Sequence, residues 1–359
     1  MKRRILILNM KNQHKFLAAM KLRALIREFF SSREFVECET PICVRSPGME
    51  PNLFPFETSV VEWSGEKHVA GLITSPEYSL KKLLGAGLPR VFELARVFRN
   101  HEDFDATHNP EFTMLEWYRA NAGYEEIMTD TEELVKYCAL ELGKKTKNQE
   151  IKKSKTSRAT GTVPKADGDC PLARVQSWQR MTVDEAFKKY AGFSLLENFS
   201  REKLADRARE LKIEVPETDS FDDIFFRIFG LHIERKLGHE APVILYEYPA
   251  SQASLARLKP SDPRLAERFE VYIQGVEIAN AFGELTDATE QRKRFEIEAE
   301  ERRAAGKTVF PIDETLLNEL QHVHSAAGIA LGVDRLAMIL TGSNNIEEVL
   351  AFSAKELFK

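Results

Sequence analysis

Val91-Phe92-Glu93-Leu94-Ala95-Arg96-Val97-Phe98-Arg99 is followed, after a polar stretch of 11 residues, by Glu111-Phe112-Thr113-Met114-Leu115-Glu116-Trp117-Tyr118. Both runs alternate with the period of a half-buried strand, so together they predict an antiparallel hairpin. The connection, residues 100–110, contains His101-Glu102-Asp103-Phe104-Asp105-Ala106-Thr107-His108. Hairpin loops usually have about two to five residues, and a long polar loop held at a rigid base more often carries function than merely joins strands. On the first strand Arg99 shares a face with Val97, Ala95 and Glu93; on the second, Glu116 shares one with Tyr118 and Met114. A charge buried at a strand end needs a partner, and an internal Arg–Glu pair and a ligand site are both open for that pattern.

A second hairpin is written further along. Phe269, Val271 and Ile273 alternate with polar residues up to Gln274-Gly275, a tight-turn signal, and Val276-Glu277-Ile278-Ala279-Asn280-Ala281-Phe282 runs back. Glu277 stands inside this apolar strand and Glu284 follows it, before a helix start at Thr286 or Asp287. If the strand end bends, the two carboxylates converge, and a hard cation such as Mg²⁺ takes one or two carboxylates with water and phosphate oxygens. Solvated glutamates at a strand end are the alternative. Gly328-Ile329-Ala330-Leu331-Gly332-Val333-Asp334-Arg335-Leu336-Ala337-Met338-Ile339-Leu340 reads as a glycine-rich strand entering an apolar helix, with Asp334 as its N-cap. Arg335 then falls in the first turn, where the helix dipole disfavours a cation unless an anion is bound; a surface ion pair is the other reading. Gly328 and Gly332 imply close approach by a ligand or by another backbone. In Thr74-Ser75-Pro76-Glu77-Tyr78, Ser75 is placed to cap a helix with Pro76 at its first position.

The 359 residues are 43% hydrophobic and 30% charged, with a net charge of −5. This is the composition of a folded protein with an ample core, not of a globally basic nucleic-acid binder. The N-terminus has too few apolar residues for a signal-peptide core, no run approaches a membrane span, and four cysteines form neither a metal pattern nor a disulfide framework. A reduced cytoplasm is the expected compartment. Leu22, Leu25, Ile26, Phe29 and Phe30 recur at helical spacing, and Val36 and Cys38 then alternate with Glu37 and Glu39 up to Pro41. Residues 144–165 carry eight basic residues against the single acid Glu150, a local +7, with few large apolar side chains. Such a segment buries too little to offset its ordering entropy, so 144–174 is expected to be a flexible surface insertion within a single domain. The stretch 288–305, ending before Gly306, is expected to be a solvated, densely charged helix, and His322-Val323-His324 is expected to be structural rather than metal-binding.

The helix-strand-proline unit ending at Pro41, the stretch from Phe98-Arg99-Asn100 to Phe112, and the stretch from Gly328 to Arg335 resemble, in this order, the three motifs of class II aminoacyl-tRNA synthetases. Within that class, His108-Asn109-Pro110-Glu111-Phe112-Thr113-Met114 and Glu277-Ile278-Ala279-Asn280-Ala281-Phe282-Gly283-Glu284-Leu285 are similar to the lysyl branch. No region reads as the OB-fold anticodon domain of a full synthetase. The chain therefore resembles the truncated branch that modifies a lysine of elongation factor P instead of charging tRNA. Pro249-Ala250-Ser251-Gln252-Ala253-Ser254-Leu255 is similar to that branch, and Ala330 stands where lysyl-tRNA synthetases have glycine, a difference associated with accepting β-lysine.

The resemblance implies an α+β fold, an antiparallel sheet flanked by helices, that dimerises through the first motif. It implies ATP and Mg²⁺, with (R)-β-lysine and elongation factor P as substrates, and no tRNA. Carried over by position, Arg99 and Arg335 would be catalytic, holding the α-phosphate and the γ-phosphate end of ATP. Asn100, His101, Asn109, Glu277, Ile278 and Gly332 would complete the nucleotide site. Ser75, Pro76, Glu77, Tyr118, Glu284 and Ala330 would line the amino-acid pocket, and Glu277 and Glu284 would meet Mg²⁺. One departure stands out: the family usually has Arg-x-Glu where this chain has Arg99-Asn100-His101-Glu102, in a loop one residue longer. Either His101 replaces the glutamate or Glu102 fills its role.

Overall fold

A computed structural model describes residues 12–154, 172 and 177–358. The chain's alternating segments become strands β1 (Val36–Glu37), β2 (Cys43–Val44), β3 (Glu57–Val61), β4 (Lys67–Leu72), β5 (Arg90–Phe98), β6 (Glu111–Ala120), β7 (Gln179–Thr182), β8 (Val243–Pro249), β9 (Leu265–Ile273), β10 (Val276–Gly283) and β11 (Ala326–Gly332). The helices are α1 (Gln13–Ser31), α2 (Glu77–Gly85), α3 (Tyr124–Ser154), α4 (Val183–Ala186), α5 (Arg201–Glu210), α6 (Phe221–Ile228), α7 (Ala288–Ala304), α8 (Glu314–Leu320), α9 (Val333–Leu340) and α10 (Ala354–Leu357).

Eight strands form one sheet in the order β1-β5-β6-β11-β10-β9-β8-β7, and β2-β4-β3 form a smaller one. The six central strands pair antiparallel, as the two hairpins require, whereas the edge strands β1 and β7 pair in parallel with β5 and β8. That mixed edge departs from the all-antiparallel expectation. Each edge strand is too short for its alternation to reveal its direction. The β9–β10 turn is made by Gln274 and Gly275 at φ 55° and 75°, the left-handed pair that matches strand twist in two-residue hairpins.

Helix α1 buries Leu22, Leu25, Ile26, Phe29 and Phe30 against the sheet. The Phe30 ring centroid lies 5.0 Å from that of Phe35, 4.9 Å from Phe92 and 5.1 Å from Trp117, which fastens α1 to β5 and β6. A second core joins α4, α5 and α6 to β8 through Phe187, Phe225, Ile228, Val243, Leu245 and Tyr248. Helix α7 is not simply solvated: Gln291, Phe295, Ala299 and Arg302 form a buried stripe, and the Arg302 guanidinium donates to the carbonyls of Glu50, Leu53 and Thr308. Helix α3 continues through 144–154, so the expected insertion begins as helix; most of the remainder of 144–174 lies outside the described residues.

Phe30→Ala removes a wholly buried ring shared by four aromatic neighbours. It is expected to lower unfolding free energy by about 3–5 kcal/mol, measured by urea denaturation.

Candidate active site

Strands β6, β11 and β10 form the floor of a cavity of about 310 Å³ whose walls include Ser75, Glu77, Arg99, Glu102, Tyr118, Glu277, Ile278, Ala330, Gly332 and Arg335. The faces read from the sequence hold: Val97, Ala95 and Glu93 are buried on β5, and Met114, Glu116 and Tyr118 on β6. The cavity has two ends of opposite charge.

At the cationic end Arg99 follows directly after β5, its amide donating to Pro110 O at 2.9 Å. Its guanidinium carbon lies 5.4 Å from the Phe112 ring centre, and its buried Nε has no hydrogen-bond partner. Burial lowers its pKa, with Glu102 and Glu277 opposing that. A half-buried guanidinium with a free donor is a ready anion site. Arg335 does fall in the first turn of α9, but Gly332, not Asp334, is the N-cap. Asp334, in the cavity wall, instead accepts from the Thr113 amide at 2.8 Å and from Arg23 at 2.9 Å. That bond pair fixes α9 to β6 and α1, and with it the base of Arg335. The Arg335 guanidinium donates to Glu277 O at 2.8 Å, Thr107 O at 3.3 Å and His108 Nε2 at 2.8 Å.

The β5–β6 loop is organised from within. Asp105 Oδ1 accepts from the amides of Thr107 and His108 at 2.7 and 2.8 Å, and Oδ2 is 3.0 Å from His108 Nδ1. Burial acts against the charge, yet these bonds hold the Asp105 carboxyl down to about 2. Since His108 Nε2 accepts from Arg335, Nδ1 carries the proton toward Asp105. The extra loop residue is accommodated by His101, at φ 59° and exposed, with its ring 4.5 Å from Phe54. Glu102 lines the cavity in its place. Asn100 is also exposed and turns back on the His101 amide. Asn109 reaches the cavity wall, but its side chain is engaged by Glu111 O and the Ala354 amide.

At the acidic end Glu116 is wholly buried, accepting from Ser75 Oγ at 2.5 Å and Tyr118 OH at 2.9 Å. It lies opposite Glu93 across the β5–β6 ladder, and burial together with Glu77 pushes its pKa well up. Helix α2 begins one residue later than expected, with Pro76 as N-cap buried beneath it, while Ser75 Oγ accepts from the Glu77 amide at 3.0 Å. Glu284 is 1% exposed, and burial pushes its carboxyl up to about 8 despite the Lys81 ammonium. A Cβ on Gly328 would lie 2.2 Å from the Tyr118 ring and 2.9 Å from Glu284 Oε1, so the close approach read from this glycine is by side chains. At Gly332 an added Cβ would come no closer than 3.7 Å to the Arg335 side chain, so no part of the chain itself requires glycine there.

The expected Glu277–Glu284 pair is not brought together. Glu277 faces Glu270, Arg335, Arg268 and Arg99, and burial beside Glu270 raises it to about 7. Glu284 faces Lys81, Glu77 and Arg257 at the other end. Sequence reading also left out Lys81, Glu50 and the Tyr248–Glu270–Tyr272 cluster, in which both tyrosine hydroxyls donate to Glu270 at 2.5 Å. Glu116 carried a signal, an acid within the apolar face of a strand, but its partner Ser75 is distant in sequence. Neither histidine of the 322–324 pair belongs to a metal-sized cluster among the described residues.

The fold and this cavity are those of a class II synthetase catalytic unit, and the chain belongs to the class II tRNA synthetases of the D, K and N type, whose family model matches residues 1–356. Among curated proteins it is similar to the elongation factor P–(R)-beta-lysine ligase of Avibacterium paragallinarum, 38% identical over 339 residues that cover 94% of each chain.

Glu116→Gln keeps the size of the buried group but removes its capacity for charge. It is expected to raise the KM for the amino acid about tenfold or more while the KM for ATP moves less than about threefold, measured by pyrophosphate exchange.

Proposed function

We propose that the chain is an ATP-dependent ligase that activates (R)-β-lysine as an aminoacyl-adenylate and transfers it to a lysine side chain of elongation factor P. The observation that carries this reading is the polarity of one cavity: a half-buried guanidinium whose buried Nε has no partner at one end, and a group of buried carboxyls, Glu284 among them with an unpartnered oxygen, at the other. An amino acid with two ammonium groups and a carboxylate, laid along that axis, presents its carboxylate to the phosphates. Likeness to the Avibacterium ligase over nearly the whole of both chains supports the substrates.

In the first step the amino-acid carboxylate attacks the α-phosphorus of ATP and pyrophosphate leaves. The carboxylate is already ionised at neutral pH, so no base is required. Arg99 would neutralise charge at the α-phosphate, and Arg335, released from the Glu277 and Thr107 carbonyls, at the γ-phosphate end. For Mg²⁺ the residue that fits is Glu277, whose charge is disfavoured beside Glu270 and would be relieved by a cation; Glu284 does not fit, because an ammonium already holds it. A bound Mg²⁺ supplies further charge neutralisation at the phosphates. In the second step the acceptor amine, with an unperturbed pKa of about 10.4, loses a proton and attacks the adenylate carbonyl, and AMP leaves.

The reading includes a homodimer along α1 and edge strand β1, where Leu17, Met20, Val36 and Ile42 expose apolar surface. It also includes a reduced cytoplasm as the compartment. Cys38, Cys43 and Cys138 are free, and no helix among the described residues is long and apolar enough to cross a membrane.

Pyrophosphate exchange is the test, run with (R)-β-lysine, α-lysine and no amino acid, followed by transfer to elongation factor P and to tRNA. Preference for β-lysine with label on the factor is the expected result. Exchange with α-lysine and label on tRNA would make the protein a minimal synthetase, and no exchange at all would make it a non-catalytic paralogue.

A further inference from the structure

One buried cation takes no part in either step. Lys81 lies on α2 one turn after Glu77, with 3% of its side chain exposed. Its ammonium is 2.5 Å from Glu77 Oε1 and 2.5 Å from Glu284 Oε2, and it does not line the cavity. We propose that Lys81 is a specificity-determining positioning residue, an internal ammonium that spans Glu77 and Glu284 and orients their remaining oxygens toward the two ammonium groups of the amino acid. The inference rests on the diamino-acid reading above.

The geometry gives each part of this arrangement a cause. The i,i+4 spacing on α2 makes Glu77 and Lys81 neighbours on one helical face. Glu284 comes from the other side of the cavity, just past the end of β10, where its amide donates to Ala326 O at 2.9 Å. With Oε2 held by Lys81, Oε1 is the oxygen left beside Gly328 and Tyr118, both of which line the cavity, and Oε1 has no hydrogen-bond partner. Only a glycine at 328 leaves space for it.

Glu77, Glu116 and Glu284 are carboxyls that are at most 9% exposed, and Lys81 is the cation that bridges two of them. Glu50, in the wall between the two ends, faces Glu77, Arg99 and Lys81 and so is shared with the phosphate end. Burial opposes the charge on Lys81, but Glu284 and Glu77 more than reverse this, so Lys81 stays an ammonium and does not act as a nucleophile toward the adenylate. Without Lys81, Glu77 and Glu284 would confront each other as buried like charges, and one would take a proton or swing away.

The test compares wild type and Lys81→Met in pyrophosphate exchange with (R)-β-lysine and with 3-aminohexanoate, the same acid lacking its terminal ammonium. The expected result is a rise of about tenfold or more in the KM for β-lysine with kcat changed less than about threefold, and a comparable fall in preference for β-lysine over the analogue. A merely structural role would weaken both substrates alike and leave their ratio intact, which would overturn the proposal. If thermal melts show that Lys81→Met does not fold, Lys81→Gln, a neutral donor of similar length, is read in the same way. A wild type that exchanges with no diamino acid sinks both readings; one that does, with the variant's ratio intact, sinks only the role of Lys81.

Discussion

Three carboxylates that water cannot satisfy set the design of this molecule. Glu77, Glu116 and Glu284 are 9%, 0% and 1% exposed, and a buried charge without partners is among the costliest features a core can contain. The surrounding strands and helices answer that constraint piece by piece. Ser75 and Tyr118 donate to Glu116, Lys81 joins Glu77 to Glu284, and a glycine on β11 makes room for the Tyr118 ring and a Glu284 oxygen. Of the three, Glu77 lines the cavity, and Glu284 Oε1, without a hydrogen-bond partner, lies beside Gly328 in its wall.

The opposite end of the cavity is built by a separate device. Arg99 and Arg335 reach it from β5 and α9, and both are set by groups behind them. Asp334 ties α9 to Thr113 and Arg23, while Asp105 and His108 shape the loop that covers Arg335. The C-terminal stretch braces the same loop: Ile346 N donates to Ala106 O, Ala354 N donates to Asn109 Oδ1, and the Phe104 and Phe358 rings stack at 6.4 Å. Groups in the cavity wall and elements packed behind it therefore brace the positions of its two cations together.

The strands of the two hairpins were legible because their polar and apolar side chains alternate with a period of two, although β6 and β9 are buried on both faces, and the turn at Gln274-Gly275 fixes its own geometry. Helix α1 was legible for the matching reason, one apolar stripe. The parallel edges β1 and β7 were not, since two to four residues carry no directional signal. Asp334 read as a helix cap because an acid at a strand-to-helix junction usually is one; here tertiary partners on β6 and α1 draw it inward. His101 and Glu102 were not distinguishable in the sequence; His101 takes a left-handed backbone and stays outside the cavity lining, whereas Glu102 is part of it. Glu277 and Glu284 sit on one short stretch of sequence, yet they lie at different ends of the cavity, because extended strand at about 3.3 Å per residue carries them roughly 20 Å apart. Nothing in the sequence around Lys81 marked it. Its meaning depends on Glu284, which is remote in sequence.

The central claim is that one cavity holds an amino acid's ammonium groups and a nucleotide's phosphates at opposite ends. The most direct measurement is a crystal structure with a non-hydrolysable sulfamoyl analogue of the β-lysyl adenylate. The account predicts the ammonium groups among Glu77, Glu116 and Glu284, with Lys81 still between Glu77 and Glu284, and the sulfamoyl group on Arg99. An analogue bound with its ammonium groups away from these carboxylates, or with Arg99 unengaged, would contradict it.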